Sequence, residues 1–401
     1  MKTNYLRVPY AMTIHGEEEI SAVNKVLRSS TQMGVNTKEF EKRIANLFGH
    51  EYGIGTNSGS SSLLLAMESF DLPAGSEVIT PVLTFATTIG CIVKNNLIPV
   101  FIDSESCNKF IINVDKIEEQ ITPNTRAMCI PDLMGNMPNW EKIRELAKKY
   151  NLLILEDSAD ILGGKYKNKP TGNYSDISIT SFYGMHMINC AGNGGMITTS
   201  NKKFYEKCML LRSWGRSSSL FSDSESIENR FNVYLDNIRY DAKFIFEKVG
   251  YMMEPSELGS AFGLEQLKKL ENTLKKRDLA AKSHLNFFSK YTNWFHLPEM
   301  DNDCSSYWFA FPLIVKPEAP FNRTEMQIFL ENRNIQTRVI FTGNALRQPA
   351  FKNIKKIVSK DGYPVADEIM KNGILLACHH GLTDDMMEHL YTSLKEFLDK
   401  F

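Results

Sequence analysis

A chain of 401 residues with 43% hydrophobic side chains is too long for one small core, so two closely associated domains are expected. Its 46 basic and 47 acidic side chains leave a net charge of −1, which gives no strong field to gather nucleic acid or an anionic membrane. No uncharged apolar run reaches the roughly 20 residues that span a bilayer, and Met1-Lys2-Thr3-Asn4-Tyr5-Leu6-Arg7 has no apolar signal core, so a cytoplasmic protein is expected.

Seven widely spaced cysteines, with no Cys-x-x-Cys pair, carry neither a zinc nor an iron–sulfur signature and read as reduced, mostly buried thiols. No metal site is expected.

In chain order, Gly55 to Leu65 comes first as a glycine- and serine-rich loop running into an apolar helix over Ser61 to Ser69. Such a loop offers backbone N–H groups and hydroxyls to a phosphate, Gly59 and Ser60 among them, although the same pattern serves as a plain N-cap. Val78 to Thr80 reads as a strand. Phe85 follows in Pro81 to Thr88, either as an ordinary core aromatic or as a flat face for a ring to stack on. Val100 to Ile102 is the next strand, Val114 to Gln120 a helix, Ala127 to Ile130 a strand and Met137 to Tyr150 a helix. Leu152 to Leu155 is an apolar strand that ends in Glu156-Asp157. Asp157 suits a buried functional carboxylate, or a helix cap.

Ile177 to Thr180 leads as a strand into Ser181-Phe182-Tyr183-Gly184-Met185-His186, and a glycine-rich turn runs into a strand at Gly195 to Thr199. Strands alternating with helices, and reading as continuous apolar runs, predict a mostly parallel sheet covered on both faces. Ser217 to Asp236 is polar, serine-rich and weakly periodic, and is expected to be a long surface loop or excursion. Leu258, Ala261, Phe262, Leu264, Leu267 and Leu270 set a helical period over Pro255 to Tyr291. Beyond it, a strand at Tyr307 to Val315, a helix at Thr324 to Asn332, a strand at Thr337 to Phe341 and a helix at Thr383 to Lys400 make an α+β C-terminal part. The expected division is 1–290 and 291–401.

Asp157 at one strand end and Ser181 to His186 after the next resemble the DegT/DnrJ/EryC1/StrS sugar aminotransferase family of pyridoxal phosphate (PLP) enzymes. The resemblance covers nearly the whole chain, from Gly34 with Phe40-Glu41 to Thr337-Arg338, Gly343-Asn344 and Arg347-Gln348-Pro349-Ala350. It implies an α/β fold of fold type I, with a mostly parallel seven-stranded sheet and a smaller α+β domain. It also implies cofactor contacts from Gly59, Ser60, Phe85, Asp157, Asp160 and Ser181, and a homodimer.

Where most of that family carries the lysine that anchors PLP, this chain has His186. In this it is similar to the 3-dehydratase branch, whose members act on GDP-4-keto-6-deoxymannose or CDP-4-keto-6-deoxyglucose and carry Ser-Phe-Tyr-x-x-His. Asp160 stands where aminotransferases usually have histidine. This branch implies pyridoxamine phosphate (PMP) held without a covalent anchor, a nucleotide-linked 4-keto-6-deoxy sugar as substrate, and loss of its C3 hydroxyl as water. It also implies His186 as acid/base, which an imidazole titrating near pH 6.5 suits, and L-glutamate as a source of amine.

Two positions depart from the pattern. Met252 replaces an asparagine that in the family reaches the cofactor phosphate from the partner subunit. Ser217-Ser218-Ser219 follows Trp214-Gly215-Arg216 where the CDP-sugar branch carries cysteines, and no cysteine lies between Cys208 and Cys304, so no iron–sulfur cluster is expected. A sugar-nucleotide aminotransferase working without lysine, and a non-catalytic cofactor-binding relative, stay open as alternatives.

Overall fold

The computed structural model describes residues 5–221 and 225–401. Residues 1–4 of the N-terminal segment and 222–224 of the serine-rich stretch lie outside the described residues. The apolar runs build a sheet of β1 (Tyr52–Thr56), β2 (Glu77–Pro81), β3 (Ile98–Ile102), β4 (Thr125–Pro131), β5 (Leu153–Asp157), β6 (Ile177–Ser181) and β7 (Gly195–Thr199). Their order is β1-β7-β6-β5-β4-β2-β3.

Strands β2 to β6 pair in parallel. The connection from β6 to β7 carries no helix, so β7 returns antiparallel to β6 and pairs antiparallel with β1. β1 escaped the sequence reading because two of its five residues are glycine. The structure shows why they are there: a Cβ on Gly53 would lie 2.2 Å from the Glu41 carbonyl oxygen, and one on Gly55 2.9 Å from Pro255 Cγ.

Around the sheet lie α1 (Glu17–Leu27), α2 (Val35–Phe48), α3 (Gly59–Ser69), α4 (Ala86–Lys94), α5 (Trp140–Tyr150) and α6 (Lys202–Arg212). The short α7 (Ile227–Phe231), then α8 (Glu257–Lys268) and α9 (Leu270–Phe288), follow. The start of α5 is set by Asn139, whose Oδ1 accepts from Lys142 N at 3.0 Å, and its end by Asn151 in the left-handed region. Trp140, Ile143, Leu146 and Ala147 recur at helical spacing and are buried against the sheet, while the opposite face is charged.

Several expectations are corrected. Val114 to Gln120 forms two 3₁₀ turns, Val114–Lys116 and Glu118–Gln120, since only Val114 and Ile117 reach a core. The long helical pattern after Pro255 breaks at Lys269 into α8 and α9. Thr337 to Phe341 is not a strand. It touches the sheet through one bridge, Arg338 to Leu375, and Phe341 at φ 42° and Gly343 at φ 61° turn the chain away.

The serine-rich stretch is not a structureless loop. It carries α7 and an antiparallel hairpin, Val233–Leu235 with Ile238–Tyr240. Asp236 and Asn237 have φ of 45° and 72°, the paired positive values of a tight two-residue hairpin turn.

The C-terminal part builds a three-stranded antiparallel sheet of Phe295–His296, Phe311–Val315 and Gly373–Leu376, with Phe311–Val315 central. The N-terminal segment straps this sheet to the large one. Val8 bridges to Ile335, Tyr10 N donates to Gln336 Oε1 at 3.0 Å, and Gln266 Nε2 of α8 donates to the Ile14 carbonyl at 2.9 Å. The buried Glu19 then closes on Lys269, 2.8 Å away. All seven cysteines are free, five of them buried. Among the described residues no helix is long and apolar enough to cross a membrane, and no group of three or more His, Cys, Asp or Glu side chains is placed to hold a metal.

Candidate active site

A cavity of about 620 Å³ opens at the C-terminal ends of the parallel strands, where open α/β sheets place their ligands. Gly59, Ser60, Phe85, Asp157, Asp160, Ser181 and His186 all line it. The sequence separates them by as much as 127 residues of chain, from Gly59 to His186; the strand order brings them together.

Its floor is where β6, β7 and the start of α3 meet. Gly195 pairs with Ser181 on one side and with Thr56 on the other. A Cβ on Gly195 would lie 2.4 Å from the Ser58 carbonyl, and one on Gly59 would lie 2.8 Å from Ser181 Cβ. Glycine at both positions lets the loop, α3 and Ser181 close up. Ser58 caps α3, its Oγ accepting from Ser61 N at 3.1 Å. The N–H groups of Gly59 and Ser60 stay outside the helix's own ladder, a donor pair suited to a phosphate.

Phe85 stands at the start of α4, is 53% exposed, and meets Phe341 edge-on at 6.1 Å. That exposure does not fit an ordinary core aromatic. Asp157 ends β5. Its Oδ2 accepts from Thr88 Oγ1 at 2.7 Å and its Oδ1 from Ala159 N at 3.3 Å. Burial raises its pKa, and these two donors hold it partly down. Among the described residues no cation is paired with it. A buried carboxyl so placed lacks a positive partner.

His186 follows the β6 end on a turn closed by its own N–H donating to the Tyr183 carbonyl at 2.9 Å. The side chain is 14% exposed and its ring lies 5.1 Å from that of Phe309. Burial pushes its pKa down to about 4, partly countered by the Ala159 backbone. Nδ1 has no hydrogen-bond partner, and Asp160 Oδ1 is 4.0 Å from it. Asp160 is itself pushed up to about 7 by burial, with Met134 N donating to its Oδ2 at 2.9 Å. The arrangement is a neutral imidazole with an open nitrogen, beside a carboxyl that titrates near neutrality.

Sequence reasoning missed Tyr10, Thr88, Asp132, Phe309 and Phe341 on the cavity wall and gave Arg338 no role. Beneath Asp132 lies a buried network. Ser158 Oγ is 2.7 Å from Asp132 Oδ2 and 2.5 Å from Glu156 Oε1, and Trp140 Nε1 donates to Asp132 Oδ1 at 3.0 Å. Burial, and then the nearby Glu156, push the Asp132 carboxyl strongly up. The signal available in sequence was Glu156-Asp157-Ser158, a polar triplet at the end of an apolar strand.

Comparison with known proteins identifies the family and the fold. A family model described as the DegT/DnrJ/EryC1/StrS aminotransferase family matches residues 13–395. The dTDP-4-dehydro-2,6-dideoxy-D-glucose 3-dehydratase of Saccharopolyspora spinosa is 30% identical, over 98% of this chain and 86% of its own. A transaminase for dTDP-3-amino-3,6-dideoxy-alpha-D-galactopyranose from Aneurinibacillus thermoaerophilus is 27% identical over 94% of each. GDP-4-keto-6-deoxy-D-mannose-3-dehydratase from Escherichia coli, solved with bound hydrated PLP, superposes with a TM-score of 0.88 at 26% identity, over 98% of this chain and 100% of that one. A further structure of GDP-4-keto-6-deoxymannose-3-dehydratase holds a trapped PLP-glutamate geminal diamine; its TM-score is 0.87 at 25% identity, over 97% of this chain and 100% of that one.

Proposed function

This chain belongs to the DegT/DnrJ/EryC1/StrS aminotransferase family, and on that premise we propose that it is a PMP-dependent 3-dehydratase of a nucleotide-linked 4-keto-6-deoxyhexose, serving deoxysugar or surface-polysaccharide synthesis. The observation that carries the proposal is His186: a buried neutral imidazole with a free Nδ1, in a cavity whose described lining includes no lysine to anchor PLP covalently.

The residues present fit the cofactor. Gly59 and Ser60 offer N–H groups to its phosphate, with the Ser181 hydroxyl beside them. Phe85 presents an exposed ring face, and Asp157 is a buried carboxyl in want of a cation. When bound, PMP supplies an amine to engage the C4 ketone and a ring that draws electrons from neighbouring bonds. Asp157 holds the proton on the ring nitrogen. His186 removes one proton and delivers one to the departing C3 hydroxyl, so a single group works as base and then as acid. Asp160 tunes His186 by setting a charge 4.0 Å away once it ionises.

L-glutamate is the proposed amine donor that restores PMP. A homodimer is proposed to bury the apolar side chains that the hairpin and the segment after it expose, Ile238 at 65% and Val249 at 95% among them.

The test is mass spectrometry of products from GDP-, CDP- and dTDP-4-keto-6-deoxy sugars with PMP and glutamate. A 3-deoxy sugar with release of ammonia is expected. A stable amino sugar identifies an aminotransferase instead. No conversion together with no cofactor absorbance identifies a non-catalytic relative.

The pH dependence follows from the pair. His186, held near 4, stays neutral and able to accept a proton above that value, so activity is expected to fall as pH drops through about 4. Asp160, held near 7, is neutral below and charged above, which adds a second inflection near pH 7 in kcat/KM. Asp160→Asn is expected to erase the second inflection and keep the first. An inflection near 7 that survives in the variant rules out Asp160 as its source.

A further inference from the structure

We infer that Arg338, packed on Tyr10, is the subsite that binds the carboxylate of the amino-acid donor; this rests on the PMP-dependent reading above. Tyr10, Asp132, Asp157, Asp160, Tyr183, His186 and Arg338 are the ionisable groups on the described cavity wall, and Arg338 is its one Lys or Arg side chain. An anionic ligand entering from this subunit's side therefore meets a single fixed cation.

Neighbouring arginines are already occupied. Arg347 is held two-fold by Asp367, at 2.5 and 2.6 Å. Arg277 is buried and donates to the Phe309 and Cys378 carbonyls. Arg338 donates from Nη1 to the Thr337 carbonyl at 2.7 Å, and among the described residues no carboxylate pairs with it. The planar fork is left with donors for a carboxylate.

The guanidinium is also held in place. Its backbone exchanges hydrogen bonds with Leu375, Arg338 N to O at 3.2 Å and Leu375 N to O at 2.8 Å, and its carbon centre lies 5.5 Å from the Tyr10 ring centroid. Tyr10 is fixed in turn by Gln336.

Position favours a carboxylate over the diphosphate of a nucleotide sugar. The Tyr10 hydroxyl is raised by burial and then by Asp160, and lowered by Arg338. Tyr10, Arg338, Asp160 and His186 line the same cavity, with Arg338 5.5 Å from the Tyr10 ring centroid and Asp160 4.0 Å from His186. In an amino acid the carboxylate sits on the carbon that bears the amine, so it must bind close to the reacting centre. In the nucleotide sugar the whole hexose ring lies between the reacting carbons and the diphosphate. The amine passes from the amino acid to the aldehyde form of the cofactor and leaves a 2-oxo acid, so no outside oxidant or reductant is needed.

The experiment compares wild type with Arg338→Gln and Arg338→Lys. Glutarate, a donor mimic that cannot react, is titrated by calorimetry into PLP-loaded protein, and loss of the PLP absorbance is followed against glutamate concentration. Arg338→Gln is expected to weaken glutarate and to raise the half-saturating glutamate at least about tenfold, the usual scale for a charged hydrogen-bond pair. Arg338→Lys is expected to fall in between. Nucleotide-sugar affinity of the PMP-loaded protein is expected to shift by no more than about a factor of two. Loss of sugar affinity with unchanged glutarate binding overturns the inference and gives Arg338 to the diphosphate. Equal loss of both also overturns it. A wild-type protein that takes up no PLP overturns the functional reading itself, a result distinct from either.

Discussion

His186→Asn is expected to lower the rate of dehydration by on the order of 10²–10⁴-fold, the usual span for loss of a positioned acid/base, while PMP still binds. That corresponds to about 3–5 kcal/mol of barrier. An amide fits the site in size and polarity but cannot take up a proton, and it leaves Phe309 without the ring 5.1 Å away. The phosphate loop, Ser181 and Asp157 are untouched, so the PMP absorbance titration is expected to match wild type within about twofold. Turnover above a tenth of wild type would show that the proton is moved by another group, with Asp160 next in line at 4.0 Å.

Trp140→Ala is expected to cost about 3–5 kcal/mol of stability, the range for emptying a fully buried aromatic site. Trp140 has no exposed surface and packs with Met128, Ile143 and Ile154 between α5 and the sheet. The same change removes the indole N–H from Asp132. Trp140→Phe separates the two effects. It keeps most of the volume and leaves Asp132 one donor short, which costs about 1–3 kcal/mol. Urea denaturation followed by circular dichroism reads both. A loss below about 1 kcal/mol in Trp140→Ala would mean that the helix–sheet interface collapses into the space.

The parallel half of the sheet was legible because burial on both faces forces unbroken apolar runs, and α5 because its caps and its period agree. β1 was hidden by glycines whose purpose is contact with Glu41 and Pro255, far away in sequence. The hairpin at Val233–Leu235 and Ile238–Tyr240 was hidden because its side chains are exposed and polar residues flank it, although Asp236-Asn237 is itself a turn signal. In the site, Asp157 and Ser181 were readable as ends of strands and His186 as a residue of the turn that follows Ser181. Tyr10 and Arg338 were not. They stand on irregular segments, and only the folded chain sets them beside the Asp160–His186 pair. Asp132 is pushed up by burial and by the folded approach of Glu156, and a sequence displays neither.

The N-terminal strap has a consequence for the order in which the protein matures. Tyr10 is fastened to Gln336, 326 residues further along the chain. A contact of such separation carries a large loop-closure cost and cannot form before residue 336 has been synthesised. A nascent chain that has not reached residue 336 carries the residues of its phosphate loop and of the His186 turn, yet Tyr10 has no Gln336 to bind and Arg338 does not exist. The residues of the phosphate loop are thus made early in synthesis, whereas the cavity wall that Tyr10 and Arg338 build closes only once residue 338 has been made.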